Sequence, residues 1–589
     1  MILIFGGTTE GRIAAETVDV AGKQFIYSTL GAPEQVETAN GRVISGALDA
    51  DGIAGLCRHE GVNLIVDAAH PFAAALHTAA VAAATAAGIP VVRFERRYPP
   101  RADGVTWCDD WDDALRRLEA DNPSRLLVLS GVNTIARLKP YWERHPATIF
   151  RIINRHSSRK KALSEGVDAS QLIYYDSTIA DGHLFDCLRP DAIITKESGE
   201  SGGFQAKVNA ALCRGIKVYA VCRPALPAYS ATVTGRHGLR RAIETLHPDF
   251  YPLRSGFTTG ACATAAARAA LSALLTADTS AAAVSFTLPD GERMQMPVCD
   301  IKLLSAHSAR ASAVKDRSDD PDILRGATIT ATVTLTDGDH IEFAAGEGVG
   351  HVTLPGIGLP IGAPAINRGP SDMIITNLRE LYPAGGILVT LSVAGGEQLA
   401  RLTFNPRLGI EGGVSIIGTS GIVTPYSHTA FVEALRREMQ VAVAMGARQL
   451  VLSSGAKSER RVHQLYPDLP PQAFIHYGNA VGDALRCAAD LGVESVVIAV
   501  MPGKAVKLAA GQLDTHSAIS TLDRDFLRQT AIEAGCDSSL TDAIAGLNMA
   551  SELTALPAEL TAPLWQAIHH RILAHLKPIH PNVTLRLLV

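Results

Sequence analysis

The sequence predicts a chain that combines an α/β region with an α+β region, and three observations support this prediction. Short apolar runs that end in glycine- or serine-rich turns alternate with helical patterns in the first half and again in the last third of the chain. Between these regions, β-branched alternation such as Thr328–Thr334 predicts antiparallel strands. A stretch with the character of a protein's beginning, LRSGFTTGACATAAARAA, stands in mid-chain, which indicates that two proteins have been joined.

The length of 589 residues exceeds what one hydrophobic core supports, so several domains are expected. We assign residues 1–247 to a first protein, residues 248–255 to a linker and residues 256–589 to a second protein. Within the second protein, residues 256–405 are expected to form the α+β part and residues 406–589 an αβ part with a Rossmann-like sheet.

Composition narrows the class of protein. A formal net charge of -5 argues against a nucleic-acid partner, and no apolar run reaches membrane-spanning length. The opening MILIFGG reads as a first strand rather than as a leader peptide. Nine cysteines without a C-x-x-C pair predict neither a disulfide framework nor a resident metal. We expect a reduced, cytoplasmic protein without a membrane partner, and the sequence leaves open whether it forms a homo-oligomer.

The first strand, Ile2–Phe5, stops at a glycine turn and continues as a helix. This geometry presents backbone N–H groups to a pyrophosphate, although the spacing is not G-x-G-x-x-G and a tight turn without a ligand is an equal alternative. We assign the turn to cofactor binding: Gly6, Gly7, Thr8, Thr9 and Glu10.

The second strand, near residues 24–28, ends in hydroxyl groups and glycine. A carboxylate at this place usually binds the ribose of NAD, and an arginine accommodates the 2′-phosphate of NADP. Ser28 and Gly31 are assigned to the cofactor, and since neither partner stands beside them, the choice between NADH and NADPH stays open.

Another strand end carries Asp67 and His70 in the sequence VNLIVDAAHPFA. Ligands of open αβ sheets bind at the carboxyl ends of strands, so both residues are candidate catalytic groups. A histidine that merely packs or caps is the alternative for His70, which we otherwise expect to orient or protonate the substrate.

Two further strand ends belong to the same predicted crevice. The strand ending at Leu129 is followed by Ser130 and Gly131, which we assign to the cofactor. Lys196 follows a strand near residues 192–195 and is a candidate catalytic residue facing a phosphate or a substrate carboxylate, with a solvated lysine as the alternative. The loop after it supplies the candidate substrate-binding residues Ser198, Gly202 and Gly203.

Together these segments resemble the precorrin-6A reductase family (CobK/CbiJ). The resemblance covers nearly all of residues 1–245 and rests on GGTTEGR, VDAAHPFA and KESGESGG followed by GIKVYAVCRP. It implies two Rossmann-like lobes, dividing near residues 120–125, with a nicotinamide cofactor and a tetrapyrrole in the cleft. Where many family members have Ala-Gly-Arg after the second strand, this chain has Leu30-Gly31-Ala32-Pro33.

In the second half, two hairpin signals follow the Ala261 helix. They are residues 284–288 with 293–298 around Pro289-Asp290-Gly291, and residues 327–335 with 340–344 around Asp337-Gly338. The glycine-rich stretch 346–370 is long for a loop, and its few charges favour a ligand-facing wall over disorder. The αβ pattern then returns with a strand at 414–417 and a helix that begins at Ser427.

Turns in this half supply its candidate site. The hydroxyl-rich helix start can hold an anion, so Thr258, Thr259 and Gly260 are assigned to the substrate. A glycine turn after a predicted strand is assigned to the cofactor: Gly418, Thr419, Ser420 and Gly421. Lys504 and Thr515 are assigned to the substrate and His516 to catalysis. Local turn hydrogen bonding by Asp514 and Ser517 is the alternative interpretation of the polar run 514–517.

This half resembles the cobalt-precorrin-5B carbon-1 methyltransferase family (CbiD). The resemblance is carried by LRSGFTTGACATAAARAA, GEGVGHVTLPGIGLPIGAPAIN, FNPRLGIEGGVSIIGTSGIVTP and KLAAGQLDTHS, in that order. It departs from the family at Ser454-Gly455-Ala456 and at Val500–Lys504, where the family's histidine is absent.

The two resemblances imply a bifunctional enzyme of cobalamin biosynthesis. The second half would methylate cobalt-precorrin-5B with S-adenosylmethionine, and the first would reduce the product with NADH or NADPH; cobalt belongs to the tetrapyrrole substrate and no metal is held by the protein. Two alternatives stay open: a sensor that binds tetrapyrrole and nucleotide without turnover, or one active half with the other, most readily the reductase, as a scaffold.

Overall fold

The structure is a computed structural model that describes residues 1–31, 36–516, 523–547 and 549–588. Ala32, Pro33 and Ser517, which belong to the motifs quoted above, lie outside the described residues. The chain divides into two compact units, Met1–Pro252 and Leu253–Val589. Of the helices in the described ranges, none combines the length and the apolar character that crossing a bilayer requires.

The first unit alternates strands with helices along its length. Its strands are β1 (Ile2–Phe5), β2 (Phe25–Thr29), β3 (Gly41–Ser45), β4 (Leu64–Asp67), β5 (Val91–Glu95), β6 (Val105–Cys108), β7 (Leu126–Val128), β8 (Ile149–Ile153), β9 (Leu172–Tyr175), β10 (Ala192–Lys196), β11 (Lys217–Val221) and β12 (Ala231–Thr234). Its helices are α1 (Thr9–Asp19), α2 (Ala50–Glu60), α3 (Ala74–Ala87), α4 (Trp111–Asp121), α5 (Lys139–Trp142), α6 (His156–Ser164), α7 (Asp181–Leu188), α8 (Phe204–Leu212) and α9 (Gly235–Leu246).

Two six-stranded parallel sheets organise this unit, which confirms the predicted α/β character of the first half. Their orders are β12-β5-β4-β1-β2-β3 and β6-β11-β10-β7-β8-β9. In each sheet the chain first proceeds to one side of a central strand and then crosses to the other side. The resulting switch points lie between β1 and β4 and between β7 and β10, and ligands of such sheets bind at the carboxyl ends of strands there.

The boundary between the two sheets differs from the expected position near residues 120–125. The second sheet already begins with β6, and helix α4 packs in its core through Trp111 and Leu118. The chain later returns to the first sheet, where β12 pairs with β5 and Leu239 of α9 joins the core. Strand pairing, which the linear pattern does not show, moves this boundary to the segment between β5 and β6.

The second unit contains a region built on a mixed sheet, called the mixed region, followed by a region built on a parallel sheet, called the parallel region. Its strands are β13 (Gly256–Phe257), β14 (Ala283–Thr287), β15 (Arg293–Pro297), β16 (Cys299–Ser305), β17 (Ser308–Val314), β18 (Thr328–Thr336), β19 (Ile341–Ala345), β20 (His351–Val352), β21 (Gly386–Val393), β22 (Ile410–Glu411), β23 (Ile422–Val423), β24 (Gln449–Ser453), β25 (Phe474–His476), β26 (Ser495–Val500) and β27 (Val583–Leu587). Its helices are α10 (Thr259–Thr276), α11 (Arg368–Leu381), α12 (Gly396–Ala400), α13 (His428–Ala444), α14 (Ala456–His463), α15 (Val481–Asp490), α16 (Pro502–Ala509), α17 (Arg524–Glu533), α18 (Ser538–Gly546) and α19 (Ala558–Leu576).

The mixed region is a five-stranded sheet, β16-β17-β18-β21-β19, that shares a core with α10. Small side chains along α10, mostly alanines, are buried and allow its backbone to approach the sheet closely. Strands β14 and β15 form the first predicted hairpin. The second predicted hairpin is wrong: β21 lies between β18 and β19 and pairs with both, antiparallel to β18 and parallel to β19.

The parallel region has the order β25-β24-β26-β27, flanked by helices of the same core. It begins later than the expected residue 406, because residues 410–423 pair with the mixed region. Strand β22 pairs with β20 and β23 pairs with β13, while Val414 and Ile416 are buried in the core that contains α10. The predicted strand at 414–417 is reduced to single bridges, Val349 with Val414 and Ile366 with Ile416.

Candidate active sites

The glycine turn after β1 is closed by the protein's own groups. A Cβ on Gly6 would stand 2.2 Å from the Tyr27 hydroxyl, and the Gly7 amide donates to that hydroxyl at 2.9 Å. The Thr8 hydroxyl accepts from the Gly11 amide at 2.9 Å and donates to the Ala68 carbonyl at 2.7 Å. The turn therefore caps α1 and ties β1 to β4, and the Thr8 side chain is used inside the fold.

Glu10, assigned from the sequence to the cofactor, belongs to an ion pair instead. Its carboxylate accepts from Arg96 Nε at 2.9 Å and from the Ser201 hydroxyl. Arg96 also donates to the Ser198 carbonyl at 2.8 Å, so this pair joins the first sheet to the loop after β10. A carboxylate beside the turn disfavours a phosphate there, and the Glu10 side chain holds the two lobes together.

Asp67 lies at the centre of a buried polar network. It is 0% exposed and accepts from His77 Nδ1 at 2.7 Å, from the Tyr229 hydroxyl at 2.7 Å and from Arg93 at 3.0 Å. Burial opposes the charge of this carboxylate, but the His77 hydrogen bond and the Arg93 charge outweigh it, so the pKa of Asp67 lies below its usual value. Four protein donors thus face the lone pairs of Asp67 and hold its carboxylate inside the fold, and its catalytic role stays a prediction.

His70 stands on this network and faces the crevice. His77 Nε2 contacts the His70 carbonyl at 3.1 Å, and the Phe72 amide donates to His70 Nδ1 at 3.2 Å. Burial, together with the charges of Arg96 and Lys196, lowers the pKa of His70 to about 3. The ring is therefore neutral near pH 7 and carries its proton on Nε2, as a hydrogen-bond donor rather than as a strong acid.

Lys196, at the end of β10, is brought beside His70. Its ammonium lies 5.2 Å from the Phe72 ring and 5.7 Å from the Trp111 ring, and the Phe72 and His70 rings are 5.9 Å apart. Burial and the nearby Arg137 lower the pKa of Lys196 to about 8. Within the described ranges its ammonium has no hydrogen bond or ion pair, so it can receive an anionic group of a ligand.

The turn after β7 keeps space for a ligand. Gly131 has φ +83°, and nothing stands within 4 Å of where its Cβ would be. The Ser130 hydroxyl bonds the Thr134 hydroxyl at 2.8 Å and so shapes the turn. In the other lobe Gly7 has the same φ, +83°, and nothing within 4 Å of where its Cβ would be, but its amide donates to the Tyr27 hydroxyl; Ser130 and Ser28 are both buried, and the Ser28 carbonyl accepts from the Gly6 amide.

In the second unit, two predicted ligand turns form a single structure. The Thr259 hydroxyl donates to the Ile417 carbonyl at 3.1 Å and accepts from the Ile417 amide at 2.9 Å. The Thr258 amide donates to the Gly421 carbonyl at 3.0 Å, and a Cβ on Gly418 would stand 2.3 Å from the Thr258 hydroxyl. The Thr259 hydroxyl and the Thr258 amide therefore hold the turn, while the Thr258 hydroxyl caps α10 by accepting from the Ala261 amide at 3.1 Å. Both side chains are buried, whereas Thr419 and Ser420 are exposed.

The carboxyl edge of the parallel sheet in this unit gathers other polar groups. The Lys504 ammonium, at the start of α16, donates to the Gly478 carbonyl and lies 5.5 Å from the Tyr477 ring. Burial and Lys507 lower the pKa of Lys504 to about 8. The Thr515 amide donates to the Asn479 carbonyl at 3.0 Å, and the His516 amide closes a turn with Asp514 at 2.9 Å.

A buried charged cluster at the same edge was not foreseen from the sequence. Glu459 of α14 pairs with His476 at 2.5 Å and with Arg407 at 2.5 Å. Glu438 of α13 is 9% exposed, and burial, opposed by Arg407 and reinforced by Glu459, raises the pKa of its carboxyl to about 7. Among the described residues, Arg407 Nη1 and the Ser453 hydroxyl are buried without a hydrogen-bond partner. Such orphaned polar atoms beside a strand end fit a polar ligand.

Two exposed aromatic rings border this cluster. Phe404 is 51% exposed and meets His476 edge-on with ring centroids 6.4 Å apart. Phe431 is 40% exposed and lies against Gly478, where a Cβ would approach its ring to 3.0 Å. Large exposed aromatic faces next to buried charges are typical of a ligand surface.

Three family models match successive parts of the chain. A model described as precorrin-6x reductase CbiJ/CobK matches residues 1–244, a CbiD model matches residues 247–425, and the C-terminal domain of CbiD matches residues 514–589.

Curated methyltransferases match slightly more than half of the chain. The chain is 42% identical over 325 residues to the cobalt-precorrin-5B C(1)-methyltransferase of Prosthecochloris aestuarii, covering 54% of this chain and 88% of that protein. It is 42% identical over 334 residues to the enzyme of the same name from Pseudomonas putida, covering 56% of this chain and 91% of that protein. The chain belongs to the cobalt-precorrin-5B C(1)-methyltransferase family. It carries, in addition, a precorrin-6x reductase domain in front.

Two solved structures are similar to parts of this bifunctional methyltransferase-family chain. CobK precorrin-6A reductase is 24% identical with a TM-score of 0.35, covering 42% of this chain and 97% of that chain. The cobalamin biosynthesis protein cbiD from Archaeoglobus fulgidus is 28% identical with a TM-score of 0.24, covering 48% of this chain and 85% of that chain.

The reductase domain brings only some of its predicted site residues into one crevice. His70 and Lys196 flank Phe72 there, and Ser130 and Gly131 stand at the switch point of the second sheet. Two of the other predicted residues shape the loop after β10: a Cβ on Gly202 would meet the Ser198 side chain, and Gly203 turns the chain into α8 with φ +63°, while Gly31 is exposed.

The methyltransferase half carries groups that the sequence reading missed: Arg407, Glu438, Glu459 and His476. They come from four separate elements, so no local spacing relates them. The one available signal is Arg407 inside FNPRLGIEGG, a motif that also carries the family resemblance.

Proposed function

We propose that this chain carries out two consecutive steps of corrin biosynthesis. The second unit methylates cobalt-precorrin-5B at carbon 1 with S-adenosylmethionine, and the first unit reduces the resulting precorrin-6A-type tetrapyrrole with NADH or NADPH. The order of the three family matches along one chain carries this proposal, because both matched activities act on the same pathway's tetrapyrroles.

For methyl transfer, the carboxyl edge of β24, β25 and β26 is the proposed site. S-adenosylmethionine supplies a methyl group already activated on a sulfonium cation. The Glu459 carboxylate and the faces of Phe404 and Phe431 suit a cation, while Arg407 Nη1 suits a carboxylate of the tetrapyrrole. These residues would align donor and acceptor and exclude water, which such a transfer needs more than a strong base.

For reduction, the crevice at β4, β7 and β10 is the proposed site. The nicotinamide supplies a hydride. The open turn at Gly131 fits a pyrophosphate, the Lys196 ammonium would bind a substrate carboxylate, and the His70 Nε2–H would orient the acceptor by a hydrogen bond. Because its pKa is about 3, His70 is a positioning group, and the proton that completes the reduction would come from another donor.

The test is a staged anaerobic reaction of the full chain followed by mass spectrometry. Cobalt-precorrin-5B and S-adenosylmethionine are added first, and NADH or NADPH second. A mass gain of one methyl group and then of two hydrogens is expected. A methyl gain alone would leave the first unit as a scaffold or sensor, and no change with verified substrate would exclude both activities.

A further inference from the structure

One carboxyl group of the second unit is buried without a partner. Glu438 of α13 is 9% exposed, and in the described ranges its side chain makes no hydrogen bond or ion pair. The fully enclosed polar atoms that lack a partner in those ranges do not include its oxygens, so the carboxyl group opens onto space that a ligand can enter. A buried acidic side chain is normally paired, and one that is not paired indicates a function.

The polar groups beside Glu438 come from three other elements. Arg407 lies on the short 3-10 helix Asn405–Leu408, Glu459 on α14 and His476 at the end of β25. The two oxygens of Glu459 are both used, one by Arg407 at 2.5 Å and the other by His476 at 2.5 Å. Glu438 is therefore the carboxyl group of this cluster that is free to take up and release a proton.

Two charged groups in the described part of the chain act on the ionisation of Glu438. Burial raises the pKa of its carboxyl to about 7; Arg407 opposes this shift and Glu459 adds to it. The cluster thus contains one carboxylate that is neutralised by its cations and one carboxyl group that ionises near neutral pH. Two acidic groups that are separated in this way are typical of acid–base chemistry, because the second can accept a proton and return it to solvent at similar cost.

Transfer of a methyl group from a sulfonium to a carbon also releases a proton. A C–C bond forms to the methyl group, and the S–C bond breaks with its electron pair left on sulfur. The positive charge passes to the conjugated acceptor, which discharges it by losing a proton from the same conjugated system. A base beside the acceptor assists this last step, since little water is present to take the proton in a closed site.

We propose that Glu438 is the general base of methyl transfer and takes the proton that the tetrapyrrole releases. This inference rests on the proposed methyltransferase function and adds a catalytic residue to it. The unpartnered Nη1 of Arg407 would bind a carboxylate of the same tetrapyrrole and so hold the acceptor against Glu438. The proton would then leave from the open side of the carboxyl group, which restores the carboxylate for the next turnover.

The experiment measures single turnovers of methyl transfer by the full chain between about pH 5.5 and 8.5, with cobalt-precorrin-5B and S-adenosylmethionine and without nicotinamide. In the unmodified chain the rate should rise about tenfold per pH unit below pH 7 and level off above it, because only the ionised carboxyl accepts a proton. Glu438→Gln should be about 100- to 1,000-fold slower above pH 7 and should lack this rise. Its Kd for S-adenosylmethionine, measured by calorimetry, should change by less than about twofold.

Two further variants separate this role from a structural one. Glu438→Asp keeps a group that ionises and should recover part of the rate together with the rise with pH. Glu433→Gln, an exposed position of the same helix, is the matched control and should follow the unmodified chain at every pH. Thermal unfolding of each variant verifies that the second unit is folded under the assay conditions.

Three results would overturn the inference. If folded Glu438→Gln kept the rate and the pH profile of the unmodified chain, another group would take the proton while the methyltransferase function stood. If Glu438→Gln lost affinity for S-adenosylmethionine and kept its rate at saturation, Glu438 would be a binding residue. If the unmodified chain formed no methylated product from verified substrate, the methyltransferase function would fail and the assignment of the base with it.

Discussion

Two titratable side chains that both approach the Phe72 ring of the reductase domain are held in opposite roles. His70 and Lys196 share a setting in which burial and neighbouring cations disfavour positive charge. For His70 this lowers the pKa to about 3, far below neutrality, whereas for Lys196 it lowers the pKa only to about 8. The same environment thus makes His70 a neutral hydrogen-bond donor and gives Lys196 an ammonium whose pKa lies close to cellular pH.

The first prediction concerns the pH dependence of the reductase. The Lys196 ammonium is charged below pH 8 and loses its proton as the pH rises through about 8. The KM for a carboxylate-bearing tetrapyrrole should therefore rise between pH 7 and 9.5, while kcat changes little. Lys196→Met should raise KM about tenfold at pH 7 and abolish the pH dependence.

Lys196→Arg provides the control for this prediction, because a guanidinium stays charged over the whole range. Its KM should be flat from pH 7 to 9.5. If the unmodified enzyme and the Lys196→Arg variant gave the same dependence of KM on pH, a group other than Lys196 would be titrating.

The second prediction concerns Glu438. Its pKa in the folded state, about 7, lies above the usual 4.5, so the stability contributed by the protonated carboxyl is full below pH 4.5 and declines as the pH rises to about 7. Glu438→Gln cannot ionise and escapes this decline. Its free energy of unfolding should exceed that of the unmodified chain by up to about 3 kcal/mol at pH 8 and converge with it towards pH 4.5.

This difference is measured by urea unfolding at several pH values, using the unfolding transition of the second unit. Glu433→Gln, an exposed position on the same helix, is the matched control and should follow the unmodified chain at every pH. A constant difference between Glu438→Gln and the unmodified chain would contradict a buried, protonated carboxyl.

At the level of elements, the glycine-rich stretch 346–370 is joined to its neighbours by direct backbone contact. A Cβ on Gly413 would stand 2.3 Å from the Gly348 carbonyl oxygen, and one on Gly396 would stand 2.2 Å from the same atom. One on Gly348 would meet the Val393 carbonyl at 2.1 Å. Three segments distant in sequence therefore need glycine at their crossing, so this stretch is an ordered part of the mixed region.

The third prediction follows from this crossing. Gly413→Ala should destabilise the second unit by about 2–4 kcal/mol, because the clash is with backbone and no side chain can yield. Thermal or urea unfolding measures the loss. Gly546→Ala, on a helix with nothing within 4 Å, should be neutral or slightly stabilising; equal effects of the two substitutions would argue against close backbone packing at Gly413.

For the whole molecule, each hydrophobic core lies entirely within one unit. The cores of the two six-stranded sheets contain only residues up to Tyr251, and those of the methyltransferase half begin with Phe257. Within the described ranges each unit therefore has core clusters of its own, the apolar interior that a domain needs to fold alone.

The fourth prediction is that the chain can be divided between Pro252 and Leu253. The separate pieces, 1–252 and 253–589, should each show a cooperative unfolding transition close to the corresponding transition of the full chain, with calorimetry as the measurement. The second piece should methylate and the first should reduce. Aggregation of either piece under conditions where the full chain is stable would contradict independent folding.

The fifth prediction concerns the reason for the fusion. Covalent linkage keeps a newly released intermediate at a high effective concentration near the second activity. The full chain should therefore form reduced product with a shorter lag than an equimolar mixture of the two pieces at low micromolar concentration. Equal lags would remove this explanation.

The sequence predicted elements whose signals are local. The strand and glycine turn at Ile2–Gly7, the helix start at Ser427 and the first hairpin of the second half depend on residue types within a few positions, and all are present. The sequence also predicted that a reductase is joined to a methyltransferase, because both halves retain their family motifs in order. His70 and Lys196 were predicted for the same reason, since each stands at or just after a strand's carboxyl end, and their roles stay predictions.

Only the tertiary structure decided which polar groups remain available. Asp67, Glu10 and Thr259 looked like ligand groups, but partners from distant segments occupy them, whereas Glu438 and Arg407 gain their character from what surrounds them. The tertiary structure also decided the order of strands in the mixed sheet, because β21 lies between β18 and β19 although it follows both in the chain. A sequence specifies local conformation and family, but hydrogen-bond partners, burial and charge neighbours are properties of segments brought together by folding, and these determine what each side chain can bind.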